Sequence, residues 1–207
     1  MTAGASAAAK ASIVGRGRLW QRALRAVGVT TPGMAKAQSN AARWQAGAEG
    51  ERRTARLLTA LVREGWHVLY DLAVGRQANV DALLVGPDGQ VFTLDTKLWA
   101  ARDEEGQPRV VHLEGGRLKH GDADRDRQVD TALWETGEVS KALGAPVTPL
   151  IVVHNAPVEG GGFHVRGVSV FPADRLLELL RHNASGRQDP REALRLAERA
   201  EVRLPPK

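Results

Sequence analysis

What most limits the fold of this chain is a pair of apolar, β-branched runs within residues 79–97 that meet at Gly86-Pro87-Asp88-Gly89. Proline suits the second position of a type I turn, and Gly89 can take the left-handed conformation that closes a three-residue loop. The stretch predicts a β-hairpin. If Gly86 pairs with Gln90, antiparallel register sets Val85 against Val91, Leu83 against Thr93 and Asp81 against Asp95. Alternation puts Lys97 on the face of Asp95, with Phe92, Leu94, Thr96 and Leu98 on the other. Both faces are largely apolar, so the hairpin belongs inside a covered sheet.

Opposed carboxylates repel, and burying unpaired charge is costly. The residues leave two readings open. Asp95 and Lys97 form a structural ion pair with Asp81 solvated at a strand end, or the acids hold a divalent cation, for which oxygen ligands suit Mg²⁺ or Mn²⁺.

The 207 residues suit one domain plus an extension. Cysteine is absent, which excludes disulfides, thiolate metal sites and a cysteine nucleophile. No apolar run approaches the roughly 20 residues that span a bilayer, and the expectation is a soluble, cytoplasmic protein. The net charge of +5 is uneven: residues 1–48 carry no acid, whereas the remainder holds 22 basic against 24 acidic side chains. The basicity belongs to an N-terminal arm.

In that arm, residues 1–15 are Ala/Ser-rich and expected to be disordered. Leu19, Trp20, Ala23, Leu24 and Val27 then recur at helical spacing, with Arg18, Arg22 and Arg25 opposite them. Three roles stay open for this short helix: packing on the domain, contacting nucleic-acid phosphates, or serving as a membrane-surface helix or presequence. Thr30, Pro32 and Gly33 predict a linker.

Further along, residues 47–64 predict a helix with Glu51 on its apolar face, and residues 66–72 the first strand. Residues 100–108 read as a charged loop and 109–113 as a strand. A helix is expected over 124–143, strands over 147–154 and 163–171, a helix from Asp174, and a last helix capped by Asp189-Pro190. The acids at 122–126 do not form a calcium loop, because Arg127 and Leu133 stand where that loop needs Gly and Glu. The glycine run 160–162 precedes a strand, not a helix, so it is not a phosphate loop. No histidine pair has metal-ligand spacing.

Three motifs occur in order: Gly47-Ala48-Glu49-Gly50-Glu51, Asn79-Val80-Asp81-Ala82-Leu83-Leu84-Val85-Gly86, and Leu94-Asp95-Thr96-Lys97-Leu98-Trp99. Together they resemble the nuclease-related domain (NERD) family of the PD-(D/E)xK superfamily over residues 47–180, with Asp95 where that family often has Glu. The resemblance implies a restriction-endonuclease-like α/β fold, a three-layer α/β/α sandwich with a central mixed sheet. It divides the chain into an arm (1–46), a nuclease domain (47–182) and a helical extension (183–207).

It also implies a catalytic set of Glu51, Asp81, Asp95, Lys97 and, on the long helix, Gln128. Asp81 and Asp95 would hold Mg²⁺ or Mn²⁺ with Glu51 touching it directly or through water, and Lys97 would orient or help deprotonate the attacking water. The function implied is metal-dependent phosphodiester hydrolysis, with DNA the favoured partner and Arg18, Arg22 and Arg25 contacting its backbone. A nucleic-acid-binding module with little turnover is the alternative. A glycosidase-type carboxylate pair ranks last, because it leaves Lys97 without a role.

Overall fold

The computed structural model describes residues 32–75 and 78–207; the basic helix expected around Arg18, Arg22 and Arg25 lies outside them. The first described element is α1 (Pro32–Val62), which runs through the segment expected to be a linker. Proline is tolerated in a first helical turn because its missing N–H would have no intrahelical partner there. Four strands matter most: β1 (His67–Val74), β2 (Ala78–Val85), β3 (Val91–Trp99) and β7 (Thr148–Asn155). Between β3 and β7 lie β4 (Val111–Glu114), β5 (Arg117–His120), β6 (Ala123–Asp124) and α2 (Asp126–Leu143). The chain then adds β8 (Phe163–Val165), β9 (Val168–Pro172), α3 (Leu176–Asn183) and α4 (Pro190–Arg203).

The main sheet has six strands in the order β1-β2-β3-β7-β9-β8. It is mixed: β1, β2 and β3 are antiparallel neighbours, β3-β7 and β7-β9 are parallel, and β8 closes the edge antiparallel to β9. The β2-β3 hairpin forms in the register read from its turn, Val85 with Val91 through Ala82 with Leu94. Gly89, at φ 82°, donates its N–H to the Gly86 carbonyl at 2.9 Å. The single strand expected over 163–171 is two, because Arg166 (φ 49°) and Gly167 turn the chain. The β4-β5-β6 sheet was only partly foreseen, since β5 and β6 are too short to show alternation.

Helices cover both faces, giving the three layers. On one side α1 and α3 pack Leu58, Leu61, Leu176 and Leu180 against Ala82, Leu84, Phe92 and Leu94. On the other, Val139 and Leu143 of α2 and Ala193, Leu196 and Ala200 of α4 pack against Leu83, Val85 and Val91. The C-terminal helix thus shares the domain's core. Its start follows the sequence: Pro190 opens the first turn and Asp189 Oδ1 accepts the Glu192 N–H at 3.1 Å. Among the described residues no helix is long and apolar enough to cross a membrane.

A close approach of α1 to β3 explains one glycine of the first motif. A Cβ on Gly50 would lie 3.2 Å from Thr96 Cγ2 and 3.3 Å from Leu98 Cβ. Gly50→Val should therefore overpack the α1-β3 contact and lower stability by about 1–3 kcal/mol in urea denaturation; an unchanged midpoint would mean that α1 is not held this tightly.

Candidate active site

The site begins where a strand pair opens. Backbone pairing of β2 with β3 stops at Ala82 and Leu94, one step before Asp81 would meet Asp95. Asp81 turns its carboxylate toward β3 instead, and its Oδ2 accepts the Thr96 backbone N–H at 2.7 Å. A side chain has replaced a strand as the acceptor. Side-chain alternation slips at the same level: Val80 and Leu83, three apart, both face the α2-α4 layer, as do Leu69 and Leu72 on β1. On β1 the irregularity is Asp71, a buried non-glycine residue at φ 55° whose Oδ1 accepts from Asn79 Nδ2 at 2.8 Å.

On β3, Asp95 Oδ1 accepts from Lys97 Nζ at 2.6 Å, and both side chains are largely enclosed, 11% and 22% exposed. The second carboxylate oxygen, Asp95 Oδ2, is buried and has no hydrogen-bond partner. An unpaired buried acceptor of a charged group is expensive and calls for a ligand.

Glu51 comes from the opposite layer. Thr96 Oγ1 donates to Thr54 Oγ1 at 3.2 Å, and Thr54 Oγ1 shares a 2.8 Å hydrogen bond with His154 Nε2 of β7. This buried chain locks α1 across β3 and β7. Glu51, one helical turn before Thr54, is thereby set at the end of the sheet where β2 parts from β3. Burial, with Asp71 and Asp95 adding to it, pushes the Glu51 carboxyl up to about 7, against the pull of Lys97 and Arg52. Burial likewise raises Asp81 well above the usual carboxylate range, with Asp95 the next cause and Lys97 opposing. Burial alone would lower Lys97, but Asp95 and Asp81 outweigh it and the ammonium is held above its ordinary value.

Two acids at this end went unrecognised in the sequence. Asp71 lies across β2 from the same level of the sheet, and its only sequence signal is a charge inside an apolar strand. Glu135 enters from α2, whose next residue, Thr136, shares a hydrogen bond with Thr93 on the β3 face that carries Asp95 and Lys97. Burial and then Asp95 push Glu135 up to about 8, while Lys97 and Lys207 pull it down. Helical spacing on α2 could have paired it with Gln128, two turns earlier on the same stripe. Gln128 itself is half-buried on α2. Arg18, Arg22 and Arg25 lie outside the described residues.

The donor set here fits a divalent cation chemically. The donors are hard oxygens, Asp95 Oδ2 is unpaired, and the carboxyls are raised by burial first and by neighbouring acids second. Among the described residues, no group of three or more His, Cys, Asp and Glu side chains is arranged to hold an ion by itself. Mg²⁺ does not require one, since it keeps several waters and commonly takes one or two carboxylates.

A six-stranded mixed sheet with helices on both faces, carrying an Asp and then Asp-x-Lys on adjacent strands at an opened pair, is compatible with the restriction-endonuclease-like class. More narrowly, the chain belongs to the nuclease-related domain (NERD) family, whose model matches residues 46–154, just over half its length. No curated protein and no solved structure matched it in the same comparisons.

The raised carboxyls fix the sign of a pH effect. Glu135 at about 8 lies above its ordinary 4.5, so between those values the folded chain holds a proton that the unfolded chain has released, and stability falls as pH rises through that window. In EDTA, Glu135→Gln should match the parent chain in Tm near pH 4.5 and exceed it increasingly toward pH 8. Parallel melting curves across that range would refute this placement of Glu135.

Proposed function

We propose that this chain is a divalent-metal-dependent nuclease that hydrolyses phosphodiester bonds, with DNA the favoured substrate. The observation that carries the reading is the buried, unpartnered Asp95 Oδ2 beside the Lys97 ammonium and the Asp81 carboxylate. Asp81 and Asp95 would hold Mg²⁺ or Mn²⁺, with Glu51 contacting it directly or through water. When bound, that ion would supply a Lewis acid and a water of lowered pKa.

The chain's own groups divide the remaining work. The raised Lys97 ammonium suits charge stabilisation at the phosphate and orientation of the attacking water better than proton abstraction while the acids around it are unneutralised. Asp95 keeps that ammonium in place through Oδ1. Glu51, with its carboxyl near 7, can hold or release a proton close to neutral pH. Gln128, on the same helix stripe as Glu135, would face the substrate side. Arg18, Arg22 and Arg25 would add salt-dependent phosphate contacts from the arm.

One observation favours the second reading, a nucleic-acid-binding module with little turnover: Asp81 already spends its Oδ2 on the Thr96 amide, and the acids do not form a ready three-ligand group. A digestion screen separates the two. With Mg²⁺ or Mn²⁺, linear and circular DNA should be cut, and Asp95→Ala and Lys97→Ala should each lose about a hundredfold to a thousandfold in rate, the range for removing transition-state charge stabilisation. Intact DNA and RNA under both metals, with binding preserved, would leave only the module.

A further inference from the structure

We propose that Trp134 stacks an unpaired nucleobase next to the phosphodiester held at Asp95 and Lys97, so that the site takes single-stranded or frayed nucleic acid ahead of intact duplex. The inference rests on the nuclease reading above and supplies its substrate class.

Trp134 is 48% exposed, whereas Trp66, Tyr70, Phe92, Trp99, Phe163 and Phe171 are buried or half-buried. Its indole is not loose. A Cβ on Gly75 would lie 3.1 Å from Trp134 Cη2 and 3.5 Å from Cζ2, so the six-membered ring rests against the backbone of the turn that follows β1. The missing side chain at Gly75 makes room for the ring. An indole resting against backbone at one edge has less rotamer freedom to lose when a ligand arrives, which lowers the entropic cost of stacking.

Its position ties it to the acids. Trp134 directly precedes Glu135, which senses the charges of Asp95 and Lys97, and Thr136 anchors this turn of α2 to Thr93 on the same face of β3. The β1 turn touched by the indole lies at the end of the sheet where β2 begins, the end that carries Asp81. Trp99, at the same end, is engaged: it stacks on His120, with centroids 5.1 Å apart, and Arg125 sits 5.7 Å from its ring centre. Trp134 therefore offers an exposed π-surface beside the site.

An exposed aromatic face next to a phosphate-processing centre fits a base. In a duplex, neighbouring pairs already cover the faces of each base; an unpaired base has a face to share, and such stacking tolerates any sequence. A duplex would gain nothing from the indole unless it frayed.

The test uses the full chain with Ca²⁺ in place of Mg²⁺ or Mn²⁺, and one oligonucleotide carrying 2-aminopurine, offered single-stranded or annealed to its complement. Trp134→Leu keeps an apolar contact with Gly75 but removes the ring; Trp134→Phe keeps a ring. The parent chain should prefer the single strand and quench 2-aminopurine on binding. Trp134→Leu should weaken single-strand binding by about tenfold, within the range for losing one base stack, with a smaller effect on duplex and with the quench gone. Trp134→Phe should restore most of both.

Unchanged single-strand affinity in Trp134→Leu would overturn the proposal, as would equal losses on both substrates in the Leu and Phe variants. So would a parent chain that binds neither oligonucleotide. Stacking that follows this pattern in a chain that cuts nothing with Mg²⁺ or Mn²⁺ would support the role of Trp134 while removing the nuclease reading, so the two can fail separately.

Discussion

The hydrogen bond from the Thr96 amide to Asp81 Oδ2 is what the site depends on. A strand cannot leave its neighbour in the middle of a sheet without stranding an N–H, and an unpaired buried N–H costs roughly a kcal/mol or more. Asp81 removes that obstacle by accepting the amide itself, so β2 can part from β3 immediately after Ala82 and Leu94. The opening sits at an edge between layers. Side chains from β3, from α1 on one side and from α2 on the other can therefore approach one point, which a continuous sheet would prevent.

The charges at that point do not balance within the described set. Asp81, Glu51 and Glu135 are all raised, chiefly by burial and then by one another or by Asp71 and Asp95, and Lys97 alone answers them from within β3. A structural ion pair would show a different pattern, with each carboxylate lowered by its partner. The exposed pairs of this chain do so, such as Glu64 with Arg181 and Glu192 with Arg195. At the opening, burial and like charge prevail, the balance that the proposed metal-dependent chemistry needs.

Much of this was legible along the chain because the signals were local. Pro87 and Gly89 set the turn, the turn sets the register, and the register brings Asp81 level with Asp95 from local chemistry alone. The spacing of Glu51, Thr54, Leu58 and Leu61 gave the face of α1, although its start at Pro32 was obscured by a Pro-Gly pair that also suits a linker. Asp71 and Glu135 were not legible. Each looks like an ordinary charge within its own element, and only the packing of β1 beside β2, and of α2 over β3, brings them to the opening. Trp134 is a similar case: its spacing on α2 does not say that Gly75 lies against the rim of its ring.

The amino-acid sequence by itself determined the hairpin, the order of the three motifs and hence the family, because turn chemistry, alternation and motif spacing act over a few residues. Only the tertiary structure decided that the β2-β3 ladder stops before the two aspartates pair, that Thr54 and His154 lock α1 at the level of Lys97, and that Asp95 keeps one oxygen without a partner. Those outcomes depend on which groups compete for each buried hydrogen bond. That competition exists only once distant segments are packed against one another.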